Sequence, residues 1–437
     1  MRLFEQWSSS LEPCRSARTD RHRMVATAPP LTRLEADPRL DGPLLEQLLG
    51  VPTTPAFVYD ENRLHQVFTV LERVRTNSGC KLLYSIKALP LGGVLRLAAE
   101  YVDGLSVSSL FEARLAHEVL SGQGTIHITT PGLRPDEMTE IASLCDFVSF
   151  NSLPQWDRLG RHVIGRASAG LRINPQLSFA ADPRYDPCRP HSKLGVPLSQ
   201  VKALYGQGGL REHRIEGLHF HTAYESRSFA PLHETVLHIE RELEAMMGGL
   251  RWINLGGGYL FTRPDHLGGL CAVVDHLRNK WQVEVYFEPG KAVVGEAGYL
   301  VTSVIDLYES DDKIIAVLDT SVNHLPEVFE YQRRPELMGE EPSAPYSLLL
   351  AGCTCLAGDL FGEYRLPYSL RVGDRVVFRN VGAYSLIKAS RFNGHNLPAI
   401  YAHDRTGRLQ RMKSYGYADY RRQWREEPID SERCEDD

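Results

Sequence analysis

Lys81-Leu82-Leu83-Tyr84-Ser85-Ile86-Lys87-Ala88 decides the fold: an apolar, β-rich run ends on a lysine, and a helix-like segment follows at once. A lysine at the end of a buried strand is costly unless its amine has a task. Desolvation lowers an amine's pKa, and a neutral amine can attack a carbonyl to form a Schiff base. A lone lysine is more simply read as an apolar stem with its charge in water. What surrounds Lys87 therefore decides its role.

Seven further β-like runs follow, at 105–109, 125–130, 147–151, 169–175, 215–222, 251–257 and 283–289. Amphipathic stretches lie between them, among them 95–102, 111–120, 136–144 and 233–247. Strands alternating with helices make a parallel sheet. Eight repeats in this length predict an α/β protein built on a closed (β/α)8 barrel. An open doubly wound sheet permits the same alternation, and the count of eight favours the barrel. Chemistry in such barrels sits at the C-terminal strand ends. Those ends carry Lys87, Ser108, Ser109, Thr129, Asn151, Asn174, His221, Gly256 to Gly258, and Glu288.

After residue 298 the pattern changes to strands at 298–308, 313–319, 346–351, 374–378, 400–403 and 409–413. The last two flank Asp404-Arg405-Thr406-Gly407, a hairpin signal. The predicted layout is a barrel over 51–297 and a C-terminal antiparallel β domain over 298–420. Residues 1–50 lack the apolar core of a secretory signal and read as a partly disordered extension, with Met24 as an alternative start. Residues 421–437 read as a charged tail.

The 437 residues suffice for two domains. A net charge of −6 without long blocks of one sign gives no footprint for nucleic acid or a membrane surface. No apolar run approaches the length of a membrane span. The eight cysteines are scattered and form no CxxC pair, which reads as a reduced, cytoplasmic protein.

Gly256-Gly257-Gly258, directly after a strand, can surround an anion with backbone N–H groups, although a tight turn alone explains it equally well. Glu288, ending the last barrel strand, needs a partner carrying a proton or a positive charge. His219 and His221 share one face of their strand, and no third metal ligand follows at suitable spacing. Pyridoxal 5′-phosphate uses all these parts: a lysine for its aldehyde, a phosphate cradle, and a group controlling its ring nitrogen.

Five motifs in this order resemble the alanine racemase-fold pyridoxal-phosphate decarboxylases, over about 54–398. They are Tyr84-Ser85-Ile86-Lys87-Ala88, Gly217-Leu218-His219-Phe220-His221-Thr222, Gly256-Gly257-Gly258, Glu288-Pro289-Gly290 and Gly382-Ala383-Tyr384. The resemblance implies Lys87 as the cofactor lysine, His221 on the ring face and Glu288 at the pyridine nitrogen. It places Gly256, Gly257, Gly258, Gly290 and Tyr384 among the cofactor contacts. Residues 319–330, 352–359 and 386–394 are similar to the carboxynorspermidine/carboxyspermidine decarboxylases. That similarity implies a head-to-tail homodimer in which Cys355, as proton donor, and Asp359 reach the partner's site. For a small-molecule substrate bearing several ammonium groups, it makes Glu225, Asp319, His324, Glu327 and Asp359 the substrate contacts, with Glu330 beside them. Glu327 and Glu330 read equally well as surface charges.

Two positions depart from that subgroup. Lys291 stands where it has glutamate and where diaminopimelate and ornithine enzymes have arginine; Tyr224 stands where it has cysteine. Diaminopimelate, ornithine or a specialised-metabolite precursor therefore stay open as substrates. Racemases of this fold place an arginine at the ring nitrogen, and non-catalytic pyridoxal-phosphate proteins lack a second domain. Glu288 and residues 298–415 speak against both.

Overall fold

The computed structural model describes residues 42–180, 182–205, 214–260 and 267–426. Eight parallel strands form the barrel: Lys81–Ser85, Gly104–Val107, Thr125–Thr129, Phe147–Phe150, Ser168–Asn174, Gly217–His219, Trp252–Asn254 and Glu284–Phe287. Each pairs with the next, and Lys81–Ser85 pairs with Glu284–Phe287, which closes the ring. Every predicted run falls on one of these strands. The predicted helices appear as Gly92–Ala99, Leu110–Leu120, Met138–Leu144 and Ala230–Met247.

Local rules set these elements. Helix Glu61–Ser78 buries Leu64, Phe68, Leu71 and Val74 at helical spacing. It starts where the Asp60 carboxylate accepts the Asn62 N–H and stops at Gly79, whose φ of 68° lies in the left-handed region. Helix Leu110–Leu120 begins at Ser109, whose hydroxyl accepts the Glu112 N–H, while the Glu112 carboxylate accepts the Ser108 N–H at 2.7 Å.

The barrel floor is a packed plug of Leu83, Phe147, Trp252 and Tyr286, with His127 stacked on Phe147 at 4.0 Å. Gly170 and Gly217 make room for the indole, because a Cβ at either would lie within 2.3 Å of Trp252. Its Nε1–H donates to Ser168 Oγ at 2.8 Å. Solvent and ligands thus meet the barrel at the opposite end, where the strands finish.

The second sheet runs Leu360–Leu366, Tyr346–Ala351, Lys313–Leu318, Gly298–Ser310, Ala56–Asp60, Ala399–His403, Leu409–Lys413; Arg375–Arg379 also pairs with Gly298–Ser310. The sheet is mostly antiparallel, as expected, with two parallel pairs: Ala56–Asp60 with Ala399–His403, and Lys313–Leu318 with Tyr346–Ala351. Two segments lie elsewhere than the sequence suggested. Ala56–Asp60, assigned by sequence to the barrel segment 51–297, is an interior strand of this sheet, because its partners arrive from far along the chain. Gly42–Leu49, assigned to the extension 1–50, is a helix whose Leu44, Leu45 and Leu48 pack against Val58, Tyr299 and Val377. The rest of that extension, Met24 included, and most of the tail 421–437 lie outside the described residues.

No helix among the described residues is long and apolar enough to cross a membrane. The six described cysteines are free thiols.

Candidate active site

Lys87 follows its strand in the short turn Ile86–Ala88. Ile86 and Ala88 are fully buried, so Lys87 alone projects into the open cavity at the barrel mouth. The surrounding protein lowers the pKa of its amine through desolvation. Glu288 and Glu112 oppose that shift and Arg172 reinforces it.

Two residues up each strand, the interior changes from plug to charge. Above Trp252 and Tyr286 stand Asn254 and Glu288. The Asn254 amide donates to Glu288 Oε1 at 2.7 Å, and His219 Nε2 lies 3.7 Å from Oε2. Burial alone raises the Glu288 pKa, yet His219, Lys87 and Asn254 together hold the carboxyl well below the usual range, so it is ionised. His219 Nδ1 is buried with no partner among the described residues.

One layer higher, His221 Nδ1 accepts the Gly257 N–H at 3.1 Å. Burial, with Arg172 and Lys87 nearby, drives the His221 pKa well below its ordinary value. The ring is therefore neutral and carries its proton on Nε2. The glycines wrap this imidazole. A Cβ on Gly256 would lie 3.0 Å from Nδ1, one on Gly258 3.2 Å from Nε2, and one on Gly257 2.3 Å from the Glu288 carbonyl. The three amides are not all open to an anion, as the sequence alone suggests. Gly256 donates to Asn254 Oδ1 at 2.9 Å and Gly257 to His221, whereas the Gly258 N–H has no partner among the described residues.

The sheet domain closes one wall. Tyr384, at φ 60°, donates its backbone N–H to the Ala88 carbonyl at 2.9 Å, which ties its turn directly to the residue after Lys87. Gly382 permits this approach, since a Cβ there would meet the Val294 carbonyl at 1.7 Å.

Lys87, His221, Gly257, Gly258, Glu288, Gly290, Tyr384 and Glu225 thus line one cavity of about 660 Å³, together with Tyr224, Lys291 and Tyr331. Gly256 lies against its wall through His221. Glu327 lines a second cavity of about 1150 Å³ that shares Glu225, Leu260, Lys291 and Ala292 with the first.

Four candidates lie elsewhere, on the sheet domain. Asp359 is buried and accepts from the Val322 N–H and from the Thr354 N–H and hydroxyl, which clamps the loop that carries Cys355. Asp319 accepts from the Thr302 and Thr54 hydroxyls and the Ser303 N–H. His324 is buried against the Thr320 hydroxyl at 2.8 Å, and its pKa is lowered to about 4 by burial. Cys355 is exposed, and Asn393 Oδ1 accepts both its N–H, at 3.0 Å, and its S–H, at 3.1 Å.

Two residues at the site were not singled out in the sequence. Arg172 lies half-buried on Ser168–Asn174, on the face of Gly170 and Asn174, and its charge bears on Lys87, His219 and His221. A cation among Ala169, Gly170, Leu171 and Ile173 was the available signal. Glu112 was hidden as an ordinary first-turn helix acid. Among the other polar strand ends, Asn151 and Asn174 hold loops: Asn151 binds Lys193 and Gly195, and Asn174 binds Gln176.

Residues 56–382 match the family described as pyridoxal-dependent decarboxylase, C-terminal sheet domain. The chain is 34% identical over 383 residues to the carboxynorspermidine/carboxyspermidine decarboxylase of Campylobacter jejuni, covering 84% of this chain and 97% of that one. It is 33% identical over 388 residues to the carboxyaminopropylagmatine decarboxylase of Synechocystis, covering 87% and 97%. The crystal structure of carboxynorspermidine decarboxylase complexed with norspermidine from Campylobacter jejuni superposes with a TM-score of 0.77 at 32% identity, over 85% of this chain and 100% of that one. The chain belongs to the pyridoxal-dependent decarboxylases. It is a pyridoxal phosphate-dependent carboxy-lyase.

Proposed function

We propose that this enzyme decarboxylates a carboxylated polyamine of the carboxynorspermidine or carboxyspermidine type. The carrying observation is the convergence of Lys87, neutral His221 and ionised Glu288 on one cavity whose mouth holds Glu225 and the faces of Tyr224 and Tyr331. Carboxylates and aromatic faces are what substrate ammonium groups seek. The relatives named above act on such compounds by their names.

Each residue then has a task. Pyridoxal phosphate, when bound, supplies the electron sink for the bond that loses CO2. Lys87, with its amine pKa lowered, would hold the cofactor through its aldehyde. Glu288 would keep a proton on the ring nitrogen, with its carboxylate oriented by Asn254 and His219. His221, locked by the Gly257 N–H, would offer its imidazole to the cofactor ring. The glycine loop supplies the close backbone approach that a phosphate needs, with the Gly258 amide available to it.

The substrate is tested by measuring CO2 release from carboxynorspermidine, carboxyspermidine, meso-diaminopimelate, ornithine, lysine and arginine. The carboxylated polyamines are expected to give the highest kcat/KM. Carboxynorspermidine as the poorest substrate would overturn the assignment.

A second copy of the chain completes the site in this reading. Cys355 lies away from the Lys87 cavity, and exposed Phe329, Leu356, Leu360, Ile387 and Phe392 belong to the segments around it. Apolar surface of this kind marks an interface. The Cys355 S–H points at the Asn393 side-chain carbonyl, which fixes its direction, and a thiol is a suitable proton donor to the substrate's α-carbon. Lys87→Ala and Cys355→Ala chains are each expected to lose most activity and to recover it when mixed, because one hybrid site is intact. No recovery on mixing would remove the shared-site reading.

A further inference from the structure

Glu225 in the Lys87 cavity, Glu327 in the adjoining cavity and Glu330 next to Tyr331 are each held by a cation of the chain itself. Lys291 Nζ lies 2.8 Å from Glu225 and 3.2 Å from Glu327. Arg333 grips Glu225 at 2.8 Å. Lys388 pairs with Glu330. The aromatic faces are covered as well. Arg333 lies 5.9 Å from the Tyr224 ring and 5.5 Å from Tyr331, and Lys388 lies 5.3 Å from Tyr331 and 5.6 Å from Tyr384. Three acids against three bases leave this cluster neutral. Lys291 is central to it: the residue lines both cavities, follows Gly290 directly, and its amine bridges two acids.

We propose that Lys291 is a specificity-determining counter-cation, which a substrate's distal ammonium group must displace from Glu225 and Glu327. The inference rests on the polyamine reading of this site. Its physical basis is competition. The carboxylates that attract a polycation are already neutralised, so an incoming ammonium gains only the difference between its own contacts and those of Lys291. Arg333 keeps Glu225 paired when Lys291 leaves, and Glu327 is then the acid left open. A ligand with three ammonium groups depends on that exchange more than one with two. Lys291 thereby sets how steeply this chain prefers long polycations over short diamines. The carboxylates around its amine also make a substrate carboxylate or the cofactor phosphate a poor partner for Lys291 in this arrangement.

The test is titration of the pyridoxal phosphate-loaded enzyme with norspermidine and with cadaverine, followed by cofactor absorbance. Lys291→Met is expected to bind norspermidine about three- to tenfold tighter than the wild type, the scale of one partly screened charge, with a smaller gain for cadaverine. Lys291→Arg keeps the charge and is expected to match the wild type. Lys291→Met that binds norspermidine no tighter, or that shifts both amines equally, would overturn the proposal. So would a weakened hold on pyridoxal phosphate without a gain for norspermidine, which would put the amine on the phosphate. Binding is read without turnover, so a wild type that releases no CO2 from carboxylated polyamines would fail the substrate assignment and leave the comparison of affinities to decide this one.

Discussion

Lys87→Ala is expected to lose the visible absorbance of the cofactor-loaded protein and to lower CO2 release by a factor on the order of 10³ or more. The fold should survive. Ile86 and Ala88 carry the packing of this turn, while Lys87 stands in the open cavity. The melting temperature without cofactor is therefore expected to match the wild type, which separates chemistry from collapse. Spectroscopy after reconstitution, kinetics and thermal denaturation together decide the matter. A coloured Lys87→Ala protein with undiminished turnover would mean that another amine does this work.

Glu288→Gln is expected to retain pyridoxal phosphate and to lower kcat by about 10²–10³, the usual cost of removing one preorganised charge from a buried site. Glutamine keeps the shape but not the negative charge at the ring nitrogen. The Glu288 carboxyl is held far below the usual range by His219, Lys87 and Asn254, so it does not titrate near neutrality. The ratio of wild-type to variant kcat should accordingly stay flat from about pH 6 to 9. A ratio that collapses at either end of that range, or a loss under about threefold, would show that the charge is not what Glu288 contributes.

The barrel was legible in the sequence because its strands are buried on both faces and read as short apolar runs, each closed by a polar residue. Lys87, His221, Gly257 and Glu288 were legible for the same reason, since they occupy strand ends where apolar residues would otherwise be expected. Arg172 was not, because it interrupts its strand one layer below the end and looks like an isolated charge. The acids of the sheet domain show the opposite case. Asp319 and Asp359 saturate their oxygens with backbone and hydroxyl donors from distant segments, and nothing local marks a carboxylate destined for that use. Glycine content identified the loop at 256–258, but only the fold shows that Asn254 and His221 consume two of its three amides.

Ala56–Asp60 carries a consequence for how the molecule is made. This strand lies between Gly298–Ser310 and Ala399–His403, so one of its edges stays unsatisfied until almost the whole chain has left the ribosome. The eight barrel strands are complete once residue 287 has emerged. Vectorial synthesis therefore favours a barrel that closes first and a sheet that is stitched later, where Ala56–Asp60 meets Ala399–His403. Until then the early strand is a bare edge, open to pairing with another nascent chain.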